Sequence, residues 1–263
     1  MAERTTFRRA RVRADGFGGG LGEEVRSVGR VRQEQVQAVG VLPAVQSLLY
    51  VLVVALFLMT FTVQPIRIPS SSMEPTLLVG DFLLLDKQAV AGDEAGGLLP
   101  PGGIGRGDVV VFHDPVDDPS VHLVKRVIGL PGDRVHLRDG VVYVNGKALR
   151  ESYAVHRRSA TDTFRDDFPL LQTLDAGVNP GWWVRLRGLV HGGEVTVPKG
   201  NYFVLGDNRD DSEDSRYWGF VPRDAIVGKP VLIYFSWKQP EGSVGSRGTA
   251  DFARWERTFR VVQ

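Results

Sequence analysis

The chain of 263 residues contains no cysteine. Disulfide bonds, thiolate nucleophiles and zinc sites built from cysteine are therefore excluded, and cysteine usage gives no indication of the compartment. The net charge is only +1, and no basic stripe interleaved with aromatic residues is present. We therefore expect no nucleic-acid partner.

Metal-binding motifs are also missing. The His-Glu-x-x-His pattern of zinc peptidases does not occur. The acidic run over residues 207–214 does not fit a calcium loop, because Arg209 stands where a ligand belongs and Ser212 stands where glycine is needed. The five histidines indicate no catalytic triad along the chain, although their pairing in space stays open. We expect neither a metal nor a cofactor.

Charged residues are absent from Gln35 to Ile66. A helix over residues 44–64 would span about 31 Å, which is the thickness of one hydrocarbon core. More than forty residues precede the apolar run and no A-x-A-like site follows it, which favours a permanent anchor over a cleaved signal peptide. Residues 1–40 carry eight arginines against five acidic residues. This basic tail is expected in the cytoplasm and the domain after the anchor outside.

Short strand-like runs dominate the rest of the chain. We predict strands at residues 81–86, 108–112, 134–138, 141–144, 194–197, 202–205 and 231–235. Asp139-Gly140 and Asn145-Gly146 predict two hairpin turns, because these pairs readily adopt positive φ. Residues 150–193 are polar and irregular and are interpreted as an insertion. The predicted domains are a tail (1–43), an anchor (44–64), a β domain in two parts (65–149 and 194–263) and an inserted segment or small cap (150–193).

Three small hydroxyls, Ser70, Ser71 and Ser72, stand between two prolines shortly after the apolar segment ends. Only five residues, about 17 Å of extended chain, separate Val63 from Pro69. A nucleophile here would lie close to the bilayer surface and would suit a substrate held in the bilayer.

Lysine is scarce, with six lysines against 26 arginines. A lysine can lose its proton when buried, whereas arginine stays charged. Lys125 lies in a strand-like run beside Arg126, and adjacent strand residues face opposite ways. We therefore expect one of these two side chains to point inward. Lowering the unperturbed pKa of about 10.4 by about two units would make about one Lys125 in ten neutral near pH 7.4, for roughly 2.7 kcal/mol.

Five segments, taken together and in order behind the apolar run, carry a family resemblance. They are residues 68–77 (IPSSSMEPTL), 80–81 (GD), 106–112 (RGDVVVF), 124–133 (VKRVIGLPGD) and 206–219 (GDNRDDSEDSRYWG). This series resembles bacterial type I signal peptidases. The resemblance implies a mostly β fold, a catalytic domain of coiled antiparallel β-sheets tethered by one N-terminal transmembrane helix.

The resemblance also implies residue roles. Ser72 would be the nucleophile and Lys125 the general base, which agrees with the reasoning on lysine above. An oxyanion hole would be formed by the Ser72 backbone N–H and the Ser70 hydroxyl. Ser212 would orient the lysine amine, and Asp214 and Arg216 would form a supporting ion pair. Arg126, next to the general base, would face solvent.

The implied reaction is removal of N-terminal signal peptides after small residues by a membrane-anchored serine endopeptidase. The substrate would lie as an extra strand in a groove. The residues expected to line its pockets are Ile68, Met73, Leu77, Leu83, Val111, Leu123 and Val124. The implied location is the bacterial cytoplasmic membrane, with preprotein signal peptides, the phospholipid bilayer and the export machinery as partners. Many members carry two anchors or a large lid, so no role is transferred to residues 150–193.

Other functions are weighed against this one. Self-cleaving SOS repressors share a Ser-Lys mechanism but are soluble and bind DNA. An organellar inner-membrane processing peptidase and a non-catalytic, membrane-tethered β domain that binds exported peptides stay open. Residues 82–85 with Trp182 and Trp183 are candidates for a patch in the membrane interface, with core burial as the alternative.

Overall fold

The structure, a computed structural model, describes residues 41–61, 63–88, 103–116, 118–157, 162–172, 175–238 and 252–262. The chain divides into two compact units, residues 1–56 and residues 57–263. The basic tail predicted for residues 1–43 lies outside the described residues as far as residue 40.

A helix, α1 (Val41–Phe61), opens the described chain and contains 21 residues without a charged side chain. Its described apolar side chains are exposed, among them Leu48, Val51 and Phe57. Across the described ranges, no helix is long and apolar enough to cross a membrane. The anchor expected over residues 44–64 stays a prediction from the sequence.

The second unit is built from antiparallel sheets. Its strands are β1 (Val63–Arg67), β2 (Asp81–Asp86), β3 (Val109–His113), β4 (His122–Gly129), β5 (Arg134–Arg138), β6 (Val141–Val144), β7 (Lys147–Ala148), β8 (Val190–His191), β9 (Glu194–Thr196), β10 (Asn201–Leu205), β11 (Val221–Pro222), β12 (Ile226–Ser236) and β13 (Arg260–Val261). The larger sheet has the order β1-β2-β12-β3-β4-β10-β11, with β13 paired to β12, and the smaller has the order β7-β6-β5-β9-β8. The predicted mostly β, antiparallel fold is confirmed.

The hairpin turns form where the sequence predicts them. Asp139 and Gly140 have φ of 49° and 77°, and Asn145 and Gly146 have φ of 54° and 75°. Positive φ at both central residues is what a two-residue type I′ turn requires. The turns set the register of β5, β6 and β7, whose alternating side chains Val135, Leu137, Val142 and Val144 are buried.

Helices occur within and after the segment interpreted as an insertion. They are α2 (Thr163–Asp166), α3 (Pro180–Leu189) and α4 (Ser215–Trp218). Helix α3 begins with Pro180 after Asn179, whose side chain accepts a hydrogen bond from the Trp182 backbone N–H at 3.0 Å.

One face of α3 is buried, because Trp182, Trp183 and Leu186 recur at helical spacing. These side chains join a core cluster with residues of the smaller sheet and β10, including Val135 and Phe203. Trp182 and Trp183 are only 1% and 7% exposed, so the interface patch predicted for the tryptophan pair is wrong. Leu83 and Leu85 are fully buried, and Phe82 and Leu84 are partly buried.

Candidate active site

Ser72 lies in a short 3-10 helix, Ser71–Met73, and is 6% exposed. Packing holds this segment, because the neighbouring Met73 and Leu77 are buried in a cluster with Ile68 and Leu83. Burial of each such side chain contributes about 1.5–3 kcal/mol. The Ser70 Oγ lies 3.3 Å from the Ser72 Oγ. The hydroxyls of Ser70 and Ser72 are thus held side by side.

Lys125 lies on β4 and pairs with Val110 of β3. It is 4% exposed, and none of the described carboxylates forms an ion pair with its amine. Burial lowers the pKa of Lys125 to about 8, although the nearby Asp214 carboxylate acts in the opposite direction. Such an amine is neutral in a useful fraction of molecules near neutral pH, which is what a general base requires.

Ser72 and Lys125 line the same cavity, which has a volume of about 680 Å³. The cavity brings together several residues that the sequence assigned to one site. Its described lining includes Ser70, Ser71, Leu123, Asp211, Ser212 and Trp218. A peptide segment of a few residues fits a space of this size.

Ser212 lies at one end of a network that contains the Asp214–Arg216 ion pair. Its hydroxyl donates to the Asp214 Oδ2 at 2.9 Å, and Arg216 donates to both Asp214 carboxylate oxygens at 2.8 Å. Asp214 and Arg216 are both fully buried. Burial acts to raise the pKa of Asp214, but the Arg216 guanidinium outweighs it and the pKa is lowered. Because its proton is given to Asp214, Ser212 has oxygen lone pairs free to accept a hydrogen bond from an amine.

Arg126 is buried, so the expectation that it faces solvent is wrong. It is 2% exposed, and its Nε and Nη2 donate to the two carboxylate oxygens of Asp207 at 2.8 Å. Its Nη1 donates to the Gly107 carbonyl at 2.7 Å. Strand β4 lies between β3 and β10 and is covered on both faces, so adjacent side chains are both buried. The nearly continuous apolar sequence around Arg126 is the signal that could have predicted this.

A turn over residues 206–209 supports the segment that holds Ser72, a contact that no local sequence pattern indicates. The Asn208 backbone N–H donates to the Ser72 carbonyl at 3.1 Å, and its side-chain amide donates to the Ser71 carbonyl at 3.3 Å. A side-chain carbon at Gly206 would collide with the Ser212 hydroxyl and the Ser72 carbonyl. Glycine is therefore required where this turn meets both site serines.

The residues predicted to form substrate pockets are placed mainly in the core. Of the seven, only Leu123 lines the described cavity. Ile68, Met73, Leu77 and Leu83 belong to one buried cluster, Val111 is buried, and Val124 packs against that cluster. Their contact with substrate stays a prediction.

Two histidines pair with acidic side chains. His136 Nδ1 lies 3.0 Å from Glu194, and His156 Nδ1 lies 3.4 Å from Asp210. Neither histidine lines the cavity that holds Ser72 and Lys125. Among the residues with described positions, no group of three or more His, Asp or Glu side chains could hold a metal ion.

Known proteins resemble this chain over most of its length. Residues 41–237 match the family model for signal peptidase, peptidase S26. The signal peptidase I of Pseudomonas fluorescens is 37% identical over 207 residues, which cover 73% of this chain and 71% of that protein. The signal peptidase I of Aquifex aeolicus is 34% identical over 226 residues, which cover 73% of this chain and 84% of that protein. A crystal structure of a signal peptidase I from Enterococcus faecalis is 36% identical and covers 51% of this chain and 98% of that chain, with a TM-score of 0.35.

Proposed function

The chain belongs to the signal peptidase family, peptidase S26, and from this premise we propose that it removes signal peptides with Ser72 as nucleophile and neutral Lys125 as general base. Signal peptidases are serine endopeptidases that act on preproteins. The observation that supports the two roles is the shared cavity, which is lined both by Ser72 and by the buried Lys125, whose pKa is lowered.

The proposed reaction has two chemical steps. In the first, neutral Lys125 takes the proton of the Ser72 hydroxyl while the Ser72 oxygen attacks the carbonyl carbon of the scissile peptide bond. The protonated amine then gives that proton to the leaving nitrogen, which releases the mature protein and leaves an acyl ester on Ser72. In the second step, Lys125 removes a proton from water, the resulting hydroxide attacks the ester, and the signal peptide is released as Ser72 is reprotonated.

Ser212 would accept a hydrogen bond from the Lys125 amine and thereby aim the amine lone pair at Ser72. Asp214 and Arg216 would hold Ser212 in this orientation, since the Ser212 proton is already directed at Asp214. In this scheme a neutral hydroxyl, that of Ser212, takes the place that the carboxylate has in a Ser-His-Asp triad. A neutral partner does not stabilise the charged amine as a carboxylate would, so the pKa of Lys125 stays low.

The Ser72 backbone N–H and the Ser70 hydroxyl would stabilise the oxyanion that forms on the attacked carbonyl. We expect Ser70→Ala to lower kcat by about 10² to 10³-fold, because loss of one such donor costs about 2.7–4 kcal/mol. Steady-state cleavage of a purified preprotein measures this loss.

Ser71→Ala is the matched control, because the Ser71 hydroxyl donates to Asp211 at 2.5 Å and lies in the same segment. It should keep kcat within about threefold of the unchanged protein. Equal losses in the two variants would refute the oxyanion role of Ser70.

The pH dependence of kcat/KM follows from the pKa of Lys125. Because burial lowers the pKa of Lys125 to about 8, the neutral fraction rises from about one tenth at pH 7 to about nine tenths at pH 9. We expect kcat/KM to rise about tenfold over this interval and to level off above it. A kcat/KM that is flat from pH 6 to pH 9 would show that no group of this pKa must lose a proton.

The substrate would bind as an additional strand, with small side chains before the cut in pockets near Leu123. The remaining pocket residues would act from the buried cluster by limiting pocket depth. Mass spectrometry of the cleaved preprotein tests this, because cleavage should follow small residues and should stop when they are replaced by leucine.

The proposed setting is a bacterial cytoplasmic membrane, with residues 44–64 as a single anchor, the N-terminus in the cytoplasm and the β domain outside. The uncharged stretch from Gln35 to Ile66 and the arginine-rich tail support this topology. Extraction of cell membranes at alkaline pH tests the anchor, since an anchored chain stays in the pellet.

A non-catalytic β domain that binds exported peptides is the contrasting function. The deciding experiment mixes the full chain, in detergent micelles, with a purified preprotein. Appearance of the mature N-terminus supports the peptidase, whereas binding of the preprotein without any cleavage would support the contrasting function.

A further inference from the structure

Residues 150–157 form a strap that lies along the turn at residues 206–209. The Val155 backbone N–H donates to the Asp207 carbonyl at 2.8 Å, and the Arg209 backbone N–H donates to the Val155 carbonyl at 3.0 Å. The strap lies at the start of residues 150–193, for which the family resemblance implies no role, and it contacts the turn that supports Ser72.

A buried ion pair fastens this strap. Arg209 donates to both carboxylate oxygens of Glu151, at 2.9 and 2.6 Å, and the two side chains are 1% and 8% exposed. The Arg209 Nε donates to the Gly206 carbonyl at 3.0 Å. Glu151 is therefore the counter-charge of a guanidinium enclosed by the turn, and removing one partner of such a pair leaves a buried charge uncompensated.

Tyr153 links this ion pair to a second one. Its hydroxyl donates to the Glu151 Oε1 at 3.0 Å, and its ring lies 4.0 Å from the Arg126 guanidinium, which is paired with Asp207. The strap thus contacts two buried arginines: Arg209, which belongs to the turn, and Arg126, which pairs with Asp207 of the turn.

The turn at residues 206–209 is hydrogen-bonded both to the Ser72 backbone and to the network that contains Ser212. On one side, Asn208 donates to the Ser72 carbonyl at 3.1 Å. On the other side, the Arg209 carbonyl accepts a hydrogen bond from the Arg216 Nη2 at 2.9 Å, and Arg216 in turn holds Asp214 and Ser212. A shift of Arg209 would therefore move the supports of Ser72 and of Lys125 relative to each other.

We propose that Glu151 is a positioning residue for cleavage, which acts through Arg209 to fix Ser72 and the Ser212 end of the lysine network in reactive register. This inference rests on the proposed function. A displacement of about 1 Å between reacting groups costs about 10²-fold in rate. We expect Glu151→Gln to lower kcat about ten- to thirtyfold and to leave KM within twofold, because Glu151 does not line the substrate cavity.

The test measures kcat and KM of the full chain in detergent micelles with a purified preprotein, at a temperature where thermal unfolding shows every variant fully folded. Arg157→Gln is the matched control in the same strap, because the Arg157 side chain is half exposed and pairs with Glu74 instead of with the turn. It should keep kcat and KM within twofold. Tyr153→Phe removes only the hydroxyl that contacts Glu151 and should lower kcat two- to fourfold, which keeps the inference testable if Glu151→Gln does not fold.

The double variant Glu151→Gln with Arg209→Gln tests whether Glu151 affects cleavage through Arg209. Its kcat should equal, within about threefold, the kcat of the less active of the two single variants, because both changes break the same contact. Multiplicative losses, or a folded Glu151→Gln or Tyr153→Phe enzyme with unchanged kcat, would overturn the inference. Absence of cleavage by the unchanged chain would instead count against the proposed function, so the two failures are distinguishable.

Discussion

Ser72→Ala should reduce preprotein cleavage by at least about 10⁴-fold, because it removes the oxygen that forms the acyl ester. The residual rate would come from water attacking a substrate that the site still binds. The fold should be unaffected, since the change removes one hydroxyl whose hydrogen bond with the Ser70 hydroxyl is long, at 3.3 Å. We expect the free energy of unfolding to change by no more than about 1 kcal/mol.

Cleavage is measured by mass spectrometry of the preprotein after long incubation, and unfolding is measured by thermal denaturation. The Ser71→Ala variant controls for general damage to the 3-10 helix. Full activity of folded Ser72→Ala protein would remove the nucleophile assignment and with it the proposed reaction.

Lys125→Arg should be as inactive as Ser72→Ala, although it keeps the positive charge. A guanidinium stays protonated in a protein and cannot take the proton of a serine hydroxyl. Lys125→Met should also be inactive, and its apolar side chain has similar length.

Lys125→Met is expected to abolish cleavage and at the same time to stabilise the fold. The pKa of Lys125 falls from 10.5 to about 8 on burial, so between these values the unfolded chain binds more protons than the folded chain. The lysine enzyme should therefore gain stability as pH rises from about 8 to about 10.5. At pH 7 the buried amine costs about 3 kcal/mol, which Lys125→Met should largely recover.

Rate measurements and thermal denaturation at pH 7 and pH 10 check both statements. An active arginine variant would mean that the site needs a charge and does not need a removable proton. A methionine variant markedly less stable than the lysine enzyme at pH 7 would contradict the lowered pKa.

Much of the fold could be predicted from local sequence. The Asp-Gly and Asn-Gly pairs require positive φ, and the hairpins form there. Alternating apolar residues in β5 and β6 indicate strands with one buried face, and the observed bounds match the predicted ones. These features depend on neighbouring residues only, which is why the sequence predicts them well.

The surroundings of Lys125 were harder to predict. Alternation in β4 suggested that one of Lys125 and Arg126 faces solvent, but both are buried. The partner that neutralises Arg126 is Asp207, 81 residues away, and no local pattern connects the two. Burial of the lysine was predicted correctly, and its catalytic role stays a prediction.

The packing of residues 150–193 against the core could not be predicted, because their apolar residues are few and spaced for a helix. Trp182, Trp183 and Leu186 lie on one face of α3 and pack against the smaller sheet, so the segment contributes to the core. The contact between Glu151 and Arg209 joins residues 58 positions apart, and no local sequence pattern predicts such a contact.

Lys125 is proposed to act as a neutral base at working pH, and a direct titration of its amine tests this role. The chain has only six lysines, so the ¹³Cε resonance of Lys125 can be identified by its loss in Lys125→Met. We predict a Lys125 pKa of about 8 that coincides with the midpoint of the kcat/KM profile. A Lys125 pKa above 10 in an enzyme that is fully active at pH 7 would contradict the account.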